Sequence, residues 1–254
     1  MIETFRNAWR VPELRKKLLF TFFIIIIYRV GGTVPVPYLD SVALSAWFEQ
    51  SASSGDFFSY LNVLSGGNFS KATLLALSVS PYINAQIIIQ LLTYALPPLE
   101  RLQKEGPEGR KKLNKITKYA SLAIAIFQAW AYYLTMKKAG ACVYTEGFSK
   151  IFAEIVIIAC FTAGASLTIW LGDEINEKGI GNGISMLLFA GIIARGPSAV
   201  IGLFDYMKTG EAKNIILVIA ILVVFVLMIG FIIFMNEAER RIPIQYAKLS
   251  LIHI

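Results

Sequence analysis

Few side chains in this sequence could carry out acid–base or nucleophilic chemistry. The single histidine is His253, one residue from the end, and the two cysteines are Cys142 and Cys160. A Ser/His/Asp triad needs a histidine that can reach a nucleophile, and a metal centre needs clustered His, Cys, Asp or Glu ligands. The sequence contains neither arrangement. It therefore predicts a protein that is not an enzyme and that holds no metal or cofactor.

Amide side chains repeat at helical spacing within one apolar stretch. Gln86, Gln90 and Thr93 stand at i, i+4 and i+7, on one face of a helix, and Ile83 and Ile87 occupy the adjoining arc. An amide that faced lipid without a partner would cost several kcal/mol. The stripe must therefore face other helices or water. The residues alone favour neither helix packing nor a water-lined path.

A second apolar pair, Leu188 and Ile192, has the same i, i+4 spacing. It follows the glycine-rich stretch GIGNGIS (179–185), which predicts a tight turn with exposed backbone. This stretch is not a phosphate-binding loop, because it lacks the lysine of that motif. In isolation the pair is typical of a helix core.

Two further features depart from a regular membrane helix. In FFSYLNVLSGGNFSK (57–71) apolar residues recur at roughly helical spacing, but Gly66 and Gly67 end the pattern after about two turns. Such a segment is too short to cross a bilayer, so it either lies at the interface or folds back into the membrane. Pro81 lies inside the next apolar run. It predicts a kink, because its ring clashes with the carbonyl of Leu77.

These features are embedded in a strongly apolar chain. Hydrophobic residues make up 56% of the 254 residues and charged residues 16%, with a net charge of +7 and a mean hydropathy of +0.61. Soluble proteins have about 25% charged residues, and a soluble globule could not bury this much apolar surface. The composition predicts an all-α polytopic membrane protein. Six stretches are long enough to cross a bilayer: 18–37, 72–97, 119–136, 151–171, 184–206 and 215–235.

Lysine and arginine are distributed unevenly around these stretches. Sixteen lie in the N-terminal segment, the second and fourth connections and the C-terminal tail, whereas six lie in the other connections. Because Lys and Arg stay on the cytoplasmic side of a membrane, this asymmetry predicts that both termini are cytoplasmic. Seven of the sixteen fall within 101–118. That run serves either as a topology signal alone or also as a docking surface.

Taken in order, these features resemble the SecY family of bacterial protein-translocation channels (SecY/Sec61-alpha). The resemblance covers almost the whole chain, and two of its stretches are long and unusual. The motifs that carry it are RVGGTVPVP (29–37), SGGNFSKATLLALSVSPYINAQIIIQLLT (65–93), KEGPEGRKKLNKITKY (104–119), WLGDEINEKGIGNGIS (170–185) and ERRIPIQYAK (239–248).

The resemblance implies a place for this chain in a ten-helix channel built from two inverted halves. Residues 1–206 would form the first half, with five transmembrane helices and a plug. Residues 207–254 would contribute the first helix of the second half and the start of its cytosolic loop. The final stretch LSLIHI (249–254) matches nothing in the family, so we expect the sequence to be truncated.

The resemblance also implies roles for particular residues. The hydrophobic pore-ring positions are Ile83, Ile87, Leu188 and Ile192. The plug contains Phe57, Phe58, Leu61, Val63, Leu64, Gly66 and Gly67. The polar stripe of the lateral gate is Gln86, Gln90 and Thr93. The cytosolic loop that docks the ribosome or the motor begins at Arg240 and Arg241.

The function implied is that of the central pore subunit of the general secretory translocon in the plasma membrane. Such a subunit passes unfolded polypeptides across the membrane and releases hydrophobic segments sideways into lipid. The implied partners are the SecE and SecG subunits, the SecA motor ATPase, the ribosome, unfolded preproteins and membrane lipid, with no direct contact to nucleic acid. Three alternatives stay open. They are a secondary transporter, which needs polar or ionic ligands at mid-depth, a membrane-embedded scaffold, and a non-functional truncated fragment.

Overall fold

The computed structural model describes residues 9–51, 57–144, 146–208 and 212–239. These residues are mainly helical, as the composition predicts. They contain no β-strand, only isolated bridges that join Pro35 to Thr73 and Leu39 to Cys142. The described helices are α1 (Pro12–Gly31), α2 (Ser41–Ser51), α3 (Phe57–Leu64), α4 (Ser80–Ala95), α5 (Pro97–Lys104), α6 (Pro107–Lys138), α7 (Gly147–Lys178), α8 (Gly183–Ile193), α9 (Gly196–Lys208) and α10 (Ala212–Glu237).

Proline opens several of these helices. It stands in the first turn of α1, α4, α5 and α6, where its missing N–H would have had no partner within the helix. The predicted kink at Pro81 is therefore wrong. Pro81 lies at the start of α4, and Leu77 lies before the helix begins, so no helical carbonyl is present for the ring to clash with.

Residues 65–79 form an irregular, buried segment rather than the first part of a helix. Its backbone bonds to residues that follow α1: Val36 N–H donates to Ala72 O at 3.1 Å, and Leu74 N–H donates to Val34 O at 2.8 Å. Ala72 has a positive φ of 48°. The predicted span 72–97 is thus helical only from Ser80. At 1.5 Å per residue α4 is about 24 Å long, less than the roughly 30 Å hydrocarbon core.

The chain divides into two compact units, Met1–Pro197 and Ser198–Ile254. The first unit holds two clusters of buried side chains. One cluster joins α6, α7 and segment 65–79, and there Phe69 stacks on Tyr132 with ring centroids 4.1 Å apart, while Tyr132 also contacts Phe161. The other cluster joins α1, α7 and α8 through Tyr28 and Leu187, among others. In the second unit, α10 exposes most of its apolar side chains, as expected of a helix that faces lipid or other helices.

Three helical stretches among the described residues are long and apolar enough to cross a membrane: Gly147–Lys178, Gly183–Lys208 and Lys213–Glu237. They contain the predicted spans 151–171, 184–206 and 215–235. The second stretch includes a turn at 194–195, between α8 and α9. The other three predicted spans fall on α1, on segment 65–79 with α4, and on α6, so the count of six stays a prediction.

Helix α7 passes very close to segment 65–79 at Gly164. A Cβ at Gly164 would overlap the carbonyl oxygen of Leu74. We expect Gly164→Ala to destabilise the protein by about 1–3 kcal/mol, the usual cost of overpacking. The measurement is the thermal melting temperature of the purified protein in detergent.

The matched control is Gly230→Ala on α10, where a Cβ would meet nothing within 4 Å. Alanine has the higher helix propensity, by about 1 kcal/mol, so this variant should be neutral or slightly stabilised. Equal melting temperatures for both variants would contradict the close approach of α7 to Leu74.

Candidate pore site

A largely apolar cavity of about 540 Å³ lies inside the first unit. Leu61 and Leu64 reach it from α3, Ile83 from α4, Tyr132 from α6 and Leu188 from α8. The cavity therefore brings together two of the four predicted pore-ring residues and two of the predicted plug residues, although these lie far apart in the sequence.

The other two predicted ring residues do not line this cavity. Ile87 on α4 is 51% exposed, and Ile192 on α8 is 44% exposed. Each lies one turn along its helix from the residue that does line the cavity. That the four residues act together as a ring stays a prediction.

The glycine-rich turn 179–185 places Leu188 by fixing the start of α8. Gly183 N–H donates to the Asn176 Oδ1 atom of α7 at 2.8 Å, and Ser185 N–H donates to Asn182 Oδ1 at 3.2 Å as a helix N-cap. Ile180 N–H donates to the Thr21 hydroxyl of α1 at 3.1 Å. The turn therefore joins α1, α7 and α8 at one point.

The predicted plug consists of α3 and the loop that follows it. Gly66 and Gly67 have φ values of 67° and 89°, a conformation that favours glycine. Gly66 lies directly against α8, because a Cβ on it would be 2.5 Å from the Gly191 carbonyl oxygen. Ser65 and Asn68, beside these glycines, are buried. The loop thus packs inside the protein.

The remaining plug residues are described to different extents. Val63 is exposed. Phe57 and Phe58 belong to the backbone of α3, but their side chains lie outside what the structure describes.

The predicted polar stripe is divided between two environments. Gln86 and Gln90 are exposed on α4. Thr93 is only 4% exposed, and its hydroxyl donates to the Ile89 carbonyl of the same helix at 2.7 Å. The two amides are thus available for contacts beyond this chain, whereas the Thr93 hydroxyl already has a partner. Arg240 and Arg241 lie outside the described residues.

Two tyrosines that sequence reasoning did not select hold the site together. The Tyr28 hydroxyl on α1 shares a buried 2.9 Å hydrogen bond with the Ser78 hydroxyl, and Tyr132 on α6 donates to the Phe69 carbonyl. Both bonds fix segment 65–79 beside the cavity. The sequence could have indicated both residues, because a tyrosine in an apolar span needs a hydrogen-bond partner for its hydroxyl.

Two solved protein-conducting channels share this arrangement of helices. Canine Sec61, from a ribosome–channel complex of the endoplasmic reticulum, has a TM-score of 0.59 and 19% sequence identity, covering 90% of this chain and 49% of its own. A SecY protein whose plug domain stabilises the closed state has a TM-score of 0.60 and 21% identity, covering 85% and 46%. The fold is therefore that of a protein-conducting channel subunit.

Sequence comparison identifies the family. The sequence profile of the SecY family matches residues 73–251. The protein translocase subunits SecY of Streptomyces coelicolor and Aquifex aeolicus are each 39% identical to this chain over 98% and 97% of its length. The chain belongs to the SecY family. It spans 58% and 57% of the length of these two relatives.

Family membership confirms predictions made from the residues and from the resemblance. The chain belongs to a family of membrane proteins for protein transport, and this family forms protein-conducting channels rather than enzymes.

Proposed function

We propose that this chain forms part of the pore, the plug and one wall of the lateral gate in a translocon that passes unfolded polypeptides across the plasma membrane. The observation that carries the proposal is the single apolar cavity where Ile83 and Leu188 meet Leu61 and Leu64 of the plug. A largely apolar cavity suits a passage that must accept polypeptides of any sequence.

The physical basis of the closed state is dehydration. An apolar constriction dewets, so ions that would have to shed their water do not cross it. With Leu61 and Leu64 beside Ile83 and Leu188, apolar side chains flank the proposed passage on both sides. When the plug moves away, the same isoleucine and leucine side chains can close around a passing polypeptide. Ile87 and Ile192, one turn along, would extend this contact.

The lateral gate is proposed for the exposed face of α4. Gln86 and Gln90 lie there without burial by this chain, so another helix or water must satisfy their amides. A translocating segment of about 20 apolar residues is more stable in lipid than in a water-filled passage. Separation of α4 from its neighbour would let such a segment leave sideways.

The proposed orientation places both termini in the cytoplasm. It is supported by the charge asymmetry of the sequence and by the N-terminal part of α6, where basic side chains such as Lys111 and Lys115 are exposed. This face and the Arg240–Arg241 loop are the proposed docking surfaces for the ribosome or the SecA motor. SecE and SecG are the proposed partner subunits within the membrane.

Site-specific photo-crosslinking to a stalled preprotein tests the proposal. A photoreactive residue at Ile83 or at Leu188, in the gene product within its native membrane, should form adducts with a preprotein that is arrested during translocation. The reason is that a polypeptide in the passage must touch the cavity wall.

Phe127 is the control position, because it is exposed on α6 and does not line the cavity. Equal yields at Phe127 and at the two cavity positions would contradict a central passage. Adducts with a small metabolite probe instead of the preprotein would favour a secondary transporter.

A further inference from the structure

A second cavity, of about 530 Å³, lies at the C-terminal end of α1 and differs from the first because polar and basic residues line much of it. Arg29, in the last turn of α1, and Lys71 both reach it, and no carboxylate is among the described residues that line it. We propose that this cavity binds the phosphate group of an anionic phospholipid. Its hydroxyl-bearing lining residues are Thr33, Ser41, Ser45 and Thr73.

Two cationic side chains give the cavity an excess of hydrogen-bond donors. Neither Arg29 nor Lys71 forms an ion pair within the part of the chain that the structure describes. Both cations therefore remain available to a ligand. Guanidinium and ammonium groups carry positive charge, donate hydrogen bonds and cannot accept them, so an oxyanion complements both their charge and their donors.

One residue that lines the same cavity, Asn68, has an unsatisfied side-chain amide. Asn68 is only 6% exposed, and its side-chain Nδ2 atom has no hydrogen-bond partner. Its backbone is fixed, because its N–H donates to Ser65 O at 3.4 Å and its carbonyl accepts from Thr73 N–H at 3.3 Å. A buried donor without an acceptor costs about 1–3 kcal/mol. A turn of the Asn68 side chain toward the cavity would let a phosphate oxygen accept a hydrogen bond from Nδ2.

The apolar surroundings of the cavity favour an oxyanion that is part of an amphiphile. Exposed apolar side chains continue from the cavity along α1 and the segment after it: Ile26, Val30 and Val34. Val42, also exposed, is part of the cavity wall itself. A headgroup phosphate in the cavity would let acyl chains cover this apolar strip, whereas free phosphate would leave it bare.

The depth of the cavity agrees with a lipid ligand. This step rests on the proposed membrane placement of α1, whose last turn carries Arg29 and would reach the level of lipid phosphates. On the cytoplasmic side of membranes, basic pockets between helices bind anionic headgroups; Arg29 and Lys71 offer the same chemistry at the opposite face. Gly66 and Gly67 line the same cavity. A bound headgroup therefore contacts the plug loop and favours its seated position.

Lipid titration of the purified chain tests the proposal. The delipidated protein in neutral detergent is titrated with phosphatidylglycerol, and bound lipid is counted by native mass spectrometry. The test variants are Arg29→Gln/Lys71→Gln and, nearly unchanged in size, Asn68→Asp, which places a negative charge against the phosphate. Each should weaken lipid binding about tenfold or more, because charge-assisted hydrogen bonds are lost or opposed.

The control variant is Lys137→Gln/Lys138→Gln, which removes the same number of charges from exposed positions near the end of α6. It should bind phosphatidylglycerol as the unchanged chain does. Full binding by both cavity variants, or an equal loss in the control, would overturn the proposal. Inorganic phosphate that binds as tightly as the lipid would assign the cavity to a soluble anion. The preprotein adducts at Ile83 test the channel separately.

Discussion

Replacement of both Ile83 and Leu188 by serine should make the resting channel leak ions. The two side chains line the same apolar cavity from α4 and α8, and the proposed barrier there is dehydration rather than charge. Serine hydroxyls would hold water in the constriction and lower that barrier. Ion conductance of membranes that contain the gene product should rise several-fold without any preprotein present, and protein abundance should be measured alongside.

The matched control is Ile88→Ser/Phe189→Ser, with exposed residues on the same two helices that do not line the cavity. It should leave the membrane ion-tight. If Ile83 and Leu188 were ordinary core residues, each large-to-small change would cost about 2–5 kcal/mol and lower abundance without a specific leak. A stable, abundant double variant that stays ion-tight would rule out their role in the seal. The variant Ile87→Ser/Ile192→Ser then tests whether these two residues, one turn away, also contribute to the seal.

Gly66→Ala should unseat the plug. A Cβ at Gly66 would lie 2.5 Å from the Gly191 carbonyl oxygen, and the backbone φ of 67° disfavours alanine by about 1–2 kcal/mol. The loop can relieve both problems only by moving away from α8. We expect a constant ion leak and export of precursors with defective signal sequences, both measured in cells that carry the variant.

Gly140→Ala separates the two causes. Gly140 has a similar φ of 71°, but a Cβ there would meet nothing within 4 Å. This variant carries the backbone cost without the clash, so it should keep the membrane tight and export normal. Identical behaviour of the two variants would show that contact between the loop and α8 does not hold the plug in place.

Helical periodicity predicted the parts of the site that depend on local spacing. The i, i+4 spacing put Ile83 with Ile87, and Leu188 with Ile192, on one face of their helices, and the resemblance suggested that the two faces meet. Ile83 and Leu188 do line one cavity, but a role in a pore ring stays a prediction. Spacing also paired each with a residue one turn away. It could not show that Ile87 and Ile192 are exposed, because burial depends on where the neighbouring helices end.

Segment 65–79 is where sequence reasoning failed, and the reason is tertiary. The run ATLLALSV (72–79) is as apolar as a membrane helix, so hydropathy alone predicts one. Its backbone instead bonds to Val34 and Val36, and Ser78 adopts a φ of 50° while its side chain bonds to Tyr28. These partners lie about 40 to 50 residues earlier. No periodicity within the run could have indicated them.

The contact between Gly66 and Gly191 also constrains the order of events during biosynthesis. The plug loop emerges from the ribosome 125 residues before the part of α8 on which it rests. At about 5–20 residues per second this delay is roughly 6–25 s. Throughout that interval the loop lacks its contact with Gly191, while the residues after α1 that bond to segment 65–79 are already made. Under the proposed function, the plug loop therefore cannot take its seated position until α8 has been made.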